Sequence, residues 1–362
     1  MLRVHEFGLV RLDVPLLEPF GIATGAQHVA HNVLVRLKTD LDSIAWGEAA
    51  PVQHISGETQ DQVCLALEQV APVIARHDLL NYRPLCEELH ALLAPVPSAL
   101  AAVETAIFDA ICKHHRITLL QFFGAHTASL DTDITITTGS VDDARRAAQK
   151  YLALGFSRFK IKIGGHDTDE DVRRVLALAQ LAPHAGLILD GNTAFSARAA
   201  ITFMKVLGEV RRQVLCFEQP VAREDWEGLQ EVEREASVCV VADESMRGEE
   251  DLRRLLKLGG VSGINIKTAK LGLLRAWELL ISARSAGLAI MVGGMVETEM
   301  SMTTSACLAA GVGGVDFVDL DTPLLLGPRP LRGGFIQTGP KLDLSRLDPG
   351  HGVEFIPDAG QR

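Results

Sequence analysis

Apolar and polar positions follow two rhythms along this chain, and the change falls near residue 125. In the first part, alternation with a period of two predicts strands over about 3–15 and 31–39, and a third ending in Trp46-Gly47-Glu48-Ala49-Ala50-Pro51. Helical periodicity follows near 59–74, 83–92 and 98–113. The last of these repeats small and apolar residues in Ala101-Ala102-Val103-Glu104-Thr105-Ala106-Ile107. Strands first and helices afterwards predict an α+β unit over residues 1–125.

From about residue 131 strands and helices alternate strictly. The spacing predicts strands over 133–138, 158–163, 186–190, 214–218, 238–243, 263–267, 289–292 and 315–319, with amphipathic helices between them. Eight such strands predict a parallel βα barrel over residues 126–321. Ser140-Val141-Asp142-Asp143 and Asp167-Thr168-Asp169-Glu170 carry the capping and acidic residues expected where helices begin. The tail, 322–362, is rich in Pro and Gly, has short strand-like pieces, and is long enough to return to the first unit.

Composition narrows the class. A chain of 362 residues with 47% hydrophobic and 22% charged positions describes a globular enzyme with a large core. The net charge of -11 comes without a basic stripe, so nucleic acid is not an expected partner. The six cysteines form no C-x-x-C pair and most lie in apolar runs, which argues against zinc or a disulfide framework. No apolar run reaches the roughly 18 residues of a membrane span, and the N-terminus has no signal-like apolar region, so a cytoplasmic location is expected.

The chemistry lies at the strand ends. Asp190, Glu218 and Asp243 each close an apolar run, 28 and 25 residues apart, which is about one strand–helix unit. Lys162 ends the run before them and Lys267 the run after. In a βα barrel all five would meet at the edge where active sites lie. Oxygen ligands without His or Cys favour Mg²⁺ over zinc. Lys160 and Lys162 lie two apart on one strand and so point the same way. Two like charges so close are expected to lower each other's pKa and favour a neutral amine base. Three acids between two bases imply proton abstraction next to a carboxylate, with the metal stabilising the enediolate. Bases on both faces would permit epimerisation by 1,1-proton transfer; a single one would permit cycloisomerisation or β-elimination.

At this point the chain resembles the enolase superfamily, in its muconate-lactonizing-enzyme-like subgroup. The resemblance is carried by Trp46-Gly47-Glu48-Ala49, the Lys160-Ile161-Lys162 pair, Leu189-Asp190-Gly191-Asn192, Glu218-Gln219-Pro220, Ala242-Asp243-Glu244-Ser245 and Asn265-Ile266-Lys267. It implies a modified (β/α)7β TIM barrel with an N-terminal α+β capping domain completed by the tail. It also implies one Mg²⁺ on Asp190, Glu218 and Asp243, and Lys162 and Lys267 as the two acid/bases. Lys160 would tune Lys162 and contact the substrate carboxylate. Barrels of this family are often oligomeric, so assembly into a homo-oligomer is an open expectation.

A second motif narrows the function. Asp319 and Asp321 end the eighth predicted strand in Val318-Asp319-Leu320-Asp321. They look like the D-x-D motif of the dipeptide epimerases, where the pair holds the α-ammonium of the N-terminal residue. The expected activity is therefore inversion of the C-terminal residue of an L,L-dipeptide of the L-Ala-L-Xaa type. The alternative within the subgroup is an N-acylamino-acid racemase, an o-succinylbenzoate synthase or a muconate cycloisomerase, none of which presents an ammonium there. Thr135, Met295, Glu297, Ile22 and Gly25 are further expected substrate contacts. Relatives that act on Ala-Glu place a cation in the loop after Pro-Phe, whereas here Pro19-Phe20-Gly21-Ile22-Ala23-Thr24-Gly25 has none. Glu299 replaces a lysine of those relatives. A non-acidic second residue follows: Ile22 and Ala23 favour an apolar side chain, and Glu299 leaves a cationic one open.

Overall fold

The computed structural model describes residues 1–22, 25–40, 43–165 and 167–357, apart from the His54 side chain. Three antiparallel strands, β1 (Val4–Ile22), β2 (Gly25–Thr39) and β3 (Ile44–Ala49), form the first sheet in the order β1-β2-β3. The first two run further than the alternation predicts. After an irregularity between Pro15 and Phe20, pairing resumes with Phe20 opposite Gln27 and Ile22 opposite Gly25. Of the stretch expected as a loop after Pro19-Phe20, the described residues are thus paired strand. Ala23 and Thr24 lie outside the described residues.

Helices α1 (Gln60–Arg76), α2 (Tyr82–Leu93) and α3 (Pro97–His115) follow. Val33, Val35 and Leu37 of β2 meet Leu67, Leu89, Val103 and Ile107 of these helices in one apolar core. The small residues of α3 have a steric purpose. A Cβ on Gly47 of β3 would come 2.0 Å from Ala102 O, so sheet and helix touch backbone to backbone.

The second unit is the expected barrel. Its parallel strands are β4 (Ile134–Ile136), β5 (Arg158–Lys162), β6 (Gly186–Asp190), β7 (Val214–Glu218), β8 (Val240–Ala242), β9 (Gly263–Lys267), β10 (Ala289–Gly293) and β11 (Phe317–Asp319), hydrogen-bonded in chain order. The seam between β11 and β4 is joined by Asp133 N–H to Val318 O at 2.9 Å and Leu320 N–H to Thr132 Oγ1 at 2.9 Å. Among the described residues seven long helices connect the strands, α4 (Val141–Ala153), α5 (Thr168–Leu181), α6 (Ala197–Val206), α7 (Trp226–Ala236), α8 (Glu249–Leu258), α9 (Leu273–Ser285) and α10 (Glu299–Val312), with a one-turn helix, Thr268–Leu271, ahead of α9. Seven helices for eight strands is the (β/α)7β arrangement. Ser140 caps α4 in a capping box with Asp143, and Asp167 caps α5.

The tail touches both units. Leu17 N–H donates to Leu325 O and Gly327 N–H to Pro15 O, and Trp46 Nε1 donates to Glu354. Strands Ile336–Thr338 and Lys341–Asp343 join Ser129–Asp131 at the barrel's edge. Among the described residues no helix is long and apolar enough to cross a membrane.

Candidate active site

Strand alternation decides what reaches the site. In β6, Leu187 and Leu189 pack outward towards the helices, while Ile188 joins Cys216, Val241 and Met291 in a small separate core. Two residues beyond Ile188, Cys216 and Val241 stand Asp190, Glu218 and Asp243. Each carboxylate therefore continues an inward-facing column at the C-terminal end of its strand. All three are buried.

The lysines meet them from both sides. Lys162 is in register with Asp190, and its Nζ donates to Asp190 Oδ2 at 2.6 Å. Lys267 Nζ donates to Asp243 Oδ2 at 2.8 Å. Their strands, β5 and β9, stand four places apart in a ring of eight, so the two amines approach from opposite walls. Lys160 lies one layer deeper. Its Nζ contacts Asp319 Oδ2 (2.6 Å), Glu218 Oε2 (2.7 Å) and Asp190 Oδ2 (3.1 Å).

The strand ends are held rigidly. Gln219 Oε1 accepts from the backbone N–H groups of Asp243 (2.9 Å) and Ser245 (3.0 Å), while its Nε2 donates to Ser245 Oγ (2.8 Å). Asn265 Nδ2 donates to Glu218 Oε1 at 2.8 Å. A Cβ on Gly191 would lie 2.9 Å from Pro220 Cα, so the turns after β6 and β7 require glycine to pack together. Asn192 (φ 39°) and Gln219 (φ 33°) hold left-handed backbone immediately beyond the two carboxylate strands, where strain is tolerated because the surroundings fix it.

Charge compensation governs the electrostatics. Burial alone would lower the lysine pKa values. For Lys160 the carboxylates Asp319, Glu218 and Asp190 outweigh it, and for Lys267 Asp243 does; both ammonium groups are held above the ordinary lysine value. The expected mutual depression of neighbouring lysines is therefore not what governs Lys160, because acids surround it more closely than its like-charged neighbour. Against the cost of burial, Lys162 and Lys160 hold Asp190 below the usual carboxylate range, and Lys267 and Lys270 do the same for Asp243. Glu218 is pushed up to about 6 by burial and by Asp190.

At the seam of the barrel Asp319 and Asp321 are both buried, and Asp321 Oδ2 accepts the Thr135 N–H at 2.6 Å. Burial and Asp319 raise Asp321 to about 6. The loop after β10 is anchored by the first unit. Glu48 of β3 accepts from Thr298 N (3.0 Å), Thr298 Oγ1 (2.6 Å) and Ser301 N (3.1 Å) at the start of α10, and from Asn32 Nδ2 of β2 (2.7 Å). A cavity opens between the units, walled by Phe20, Ile22, Gln27, Val52, Ile55, Met295 and Val296 above Thr135, Lys160, Lys162, Lys267, Asp319 and Asp321.

Comparison with known proteins agrees with this layout. Residues 7–124 match the mandelate racemase / muconate lactonizing enzyme N-terminal domain, and residues 143–359 match the enolase C-terminal domain-like family. The chain belongs to the mandelate racemase / muconate lactonizing enzyme family of the enolase superfamily. It is 40% identical to an aromatic dipeptide epimerase of Herpetosiphon aurantiacus over 95% of this chain and 96% of the other. It is 35% identical to a hydrophobic dipeptide epimerase of Citrifermentans bemidjiense, over 95% of each. Its fold superposes on a dipeptide epimerase of Enterococcus faecalis V583, solved with Mg and L-Leu-L-Tyr, with a TM-score of 0.93, 29% identity and coverage of 97% and 99%.

Within this family member, the structure brings together Asp190, Glu218, Asp243, Lys160, Lys162, Lys267, Asp319, Asp321, Thr135, Met295 and Ile22 at one cavity or directly beneath it. Three expected contacts lie elsewhere. Gly25 sits opposite Ile22 in the hairpin and faces a neighbouring depression with Gly139 and Asp167. Glu297 is buried behind the loop, where it accepts the Met295 N–H at 3.0 Å; burial and Glu48 raise it to about 8. Glu299 opens α10 and is paired with Arg329, whose guanidinium also donates to Pro323 O and Gly327 O. A neutralised Glu299 removes the reason for leaving a cationic side chain open.

Sequence reasoning passed over several lining residues. Lys270 pairs with Asp243 and donates to its backbone O at 2.7 Å, and its place one helical turn after Lys267 was the available signal. Asn192 donates to Glu244 Oε1 at 3.3 Å; Glu244 is raised to about 7 by burial and then by Asp243 and Asp190. Asp190, Glu218 and Asp243 pass the chemical test for a hard divalent cation. The donors are all oxygen, they are buried at three successive strand ends, the Asn265 amide orients the Glu218 carboxylate, and the Gln219 amide holds the Asp243 backbone.

Proposed function

We propose that this protein is a Mg²⁺-dependent dipeptide epimerase that inverts the α-carbon of the C-terminal residue of L,L-dipeptides with an apolar second residue. The observation that carries the reading is the pair of opposed lysines, Lys162 and Lys267, over a single acid-lined centre with Asp319 and Asp321 at its edge. The relatives named aromatic and hydrophobic dipeptide epimerases support it.

Mg²⁺ would be held by Asp190, Glu218 and Asp243 and would supply Lewis-acid stabilisation of negative charge on the substrate carboxylate. The chain's own residues do the rest. Asp319 and Asp321 hold the N-terminal ammonium, which fixes the dipeptide at one end. Lys160 supplies a fixed positive charge beside the carboxylate end. One of Lys162 and Lys267, as the amine, takes the α-proton; the other, as the ammonium, returns a proton to the opposite face. The apolar wall of Phe20, Ile22, Val52, Ile55 and Met295 receives the second side chain and excludes water from the carbanionic intermediate. We place the enzyme in the cytoplasm.

The subgroup's N-acylamino-acid racemases use the same lysine chemistry but have no ammonium to bind, which leaves two buried aspartates without a purpose. Incubation in D₂O with Mg²⁺ tests the choice. Mass gain of one on free L,L-dipeptides supports the epimerase; gain only on N-succinyl amino acids would transfer the assignment to the racemase.

A further inference from the structure

The seam of the barrel holds a third acid that this mechanism does not use. Asp133 immediately precedes β4, and alternation turns its side chain to the same face as Thr135, one layer deeper. It is 1% exposed, and neither of its carboxylate oxygens has a hydrogen-bond partner among the described residues. Such burial is costly unless a donor or cation arrives. Lys160 acts on it through space but gives it no hydrogen bond, since its direct contacts go to Asp319, Glu218 and Asp190.

One oxygen each from Asp133, Asp319 and Asp321 lie within 4.8 Å of one another. A primary ammonium has three N–H groups in tetrahedral directions. With N···O contacts of about 2.8 Å it sets its acceptors about 4.6 Å apart. The three acids are thus close enough together for a single R–NH₃⁺ to reach all of them.

We propose that Asp133 is the third acid of the ammonium site, a substrate-positioning residue that selects dipeptides with a free N-terminal amine. The proposal rests on the epimerase reading. N-propionyl-L-Leu matches L-Ala-L-Leu except that it lacks the amine, so the pair isolates the ammonium. Asp133→Asn, assayed with Mg²⁺, is expected to raise KM for L-Ala-L-Leu by about tenfold, the weight of one charge-assisted hydrogen bond. Its kcat should stay within about threefold, and Ki for N-propionyl-L-Leu within about twofold.

A parallel rise in KM and Ki would make Asp133 a structural residue, and no change in either would remove it from the site; both outcomes overturn the proposal. Asp133→Ser provides a second reading of the same ratio. If both variants fail to fold while Asp319→Asn folds, the structural role is established and the proposal again fails. Wild-type protein that exchanges no free dipeptide would instead sink the epimerase reading itself.

Discussion

Replacing the second residue of the substrate tests the specificity reading most directly. In the cavity every cation already faces an acid: Lys160 meets Asp319 and Glu218, Lys162 meets Asp190, and Lys267 and Lys270 share Asp243. Arg329 is held by Glu299. A glutamate side chain placed against Phe20, Ile22, Val52, Ile55 and Met295 therefore finds no free cation among the described residues. Burying a polar group unpaired costs about 1–3 kcal/mol on the scale of protein substitutions, and an ionised carboxylate costs more. A leucine in the same place gains about 1.5–3 kcal/mol from apolar burial. At 1.4 kcal/mol per factor of ten, even the lower bounds combine to a preference for L-Ala-L-Leu over L-Ala-L-Glu of about sixtyfold in kcat/KM. Deuterium uptake at the α-carbon, followed by mass spectrometry at matched subsaturating concentrations, measures the ratio. Equal rates, or faster exchange of L-Ala-L-Glu, would show that a cation reaches the second side chain and that the neutral-wall argument is wrong.

Three further outcomes follow from other parts of the molecule. Lys267→Ala should lose epimerisation by about a hundredfold or more, yet keep proton exchange from one stereoisomer through Lys162; equal loss from both isomers would refute the two-base assignment. Glu48→Ala leaves the donors of Thr298, Ser301 and Asn32 without their acceptor, and should lower unfolding free energy by about 3–5 kcal/mol in denaturant titrations. A loss below about 1 kcal/mol would mean that water replaces the carboxylate. Glu104 on α3 is raised from 4.5 to about 7, chiefly by burial, although Leu274 N–H donates to it at 3.0 Å. Between those values the folded protein binds a proton that the unfolded chain releases, so this group makes stability fall as pH rises from about 4.5 to 7. Glu104→Gln should flatten that part of a melting-temperature profile, and an unchanged slope would place the titration elsewhere.

Strand ends were legible in the sequence because barrel chemistry repeats at a fixed interval. Asp190, Glu218 and Asp243 each close an apolar run, and the period alone puts them on one edge. The pairing of residues 20–22 with 25–27 was not legible, because Gly21, Gly25 and Ala26 break the alternation in strands whose pairing is set by the partner strand. Glu299 misled for a related reason: its partner Arg329 is 30 residues away in the tail, so neutralisation depends on tertiary contact that no local pattern carries. Asp133 was hidden in plain view inside a predicted strand. An acid at the start of a strand reads as an ordinary boundary until closure of the seam brings Val318 and Asp319 beside it.

These differences separate chemistry from selection within the same molecule. The lysines and the three carboxylates come from β5 to β9, are fixed by residues of the barrel such as Gln219 and Asn265, and suit any carbon acid that carries a carboxylate. What restricts the substrate comes from other places. The proposed ammonium site is built at the seam between β11 and β4, and the apolar wall is shared by the first sheet (Phe20, Ile22), the segment after it (Val52, Ile55) and the loop after β10 (Met295). Glu48 joins the two layers, because the carboxylate that caps α10 also fixes the far side of the loop bearing Met295 and Val296. A change in the wall can therefore alter the accepted side chain without moving a lysine, whereas a change at the seam alters whether a dipeptide is accepted at all. In the proposed reading that division makes the assignment depend on Asp319, Asp321 and the wall, and not on Lys162 and Lys267.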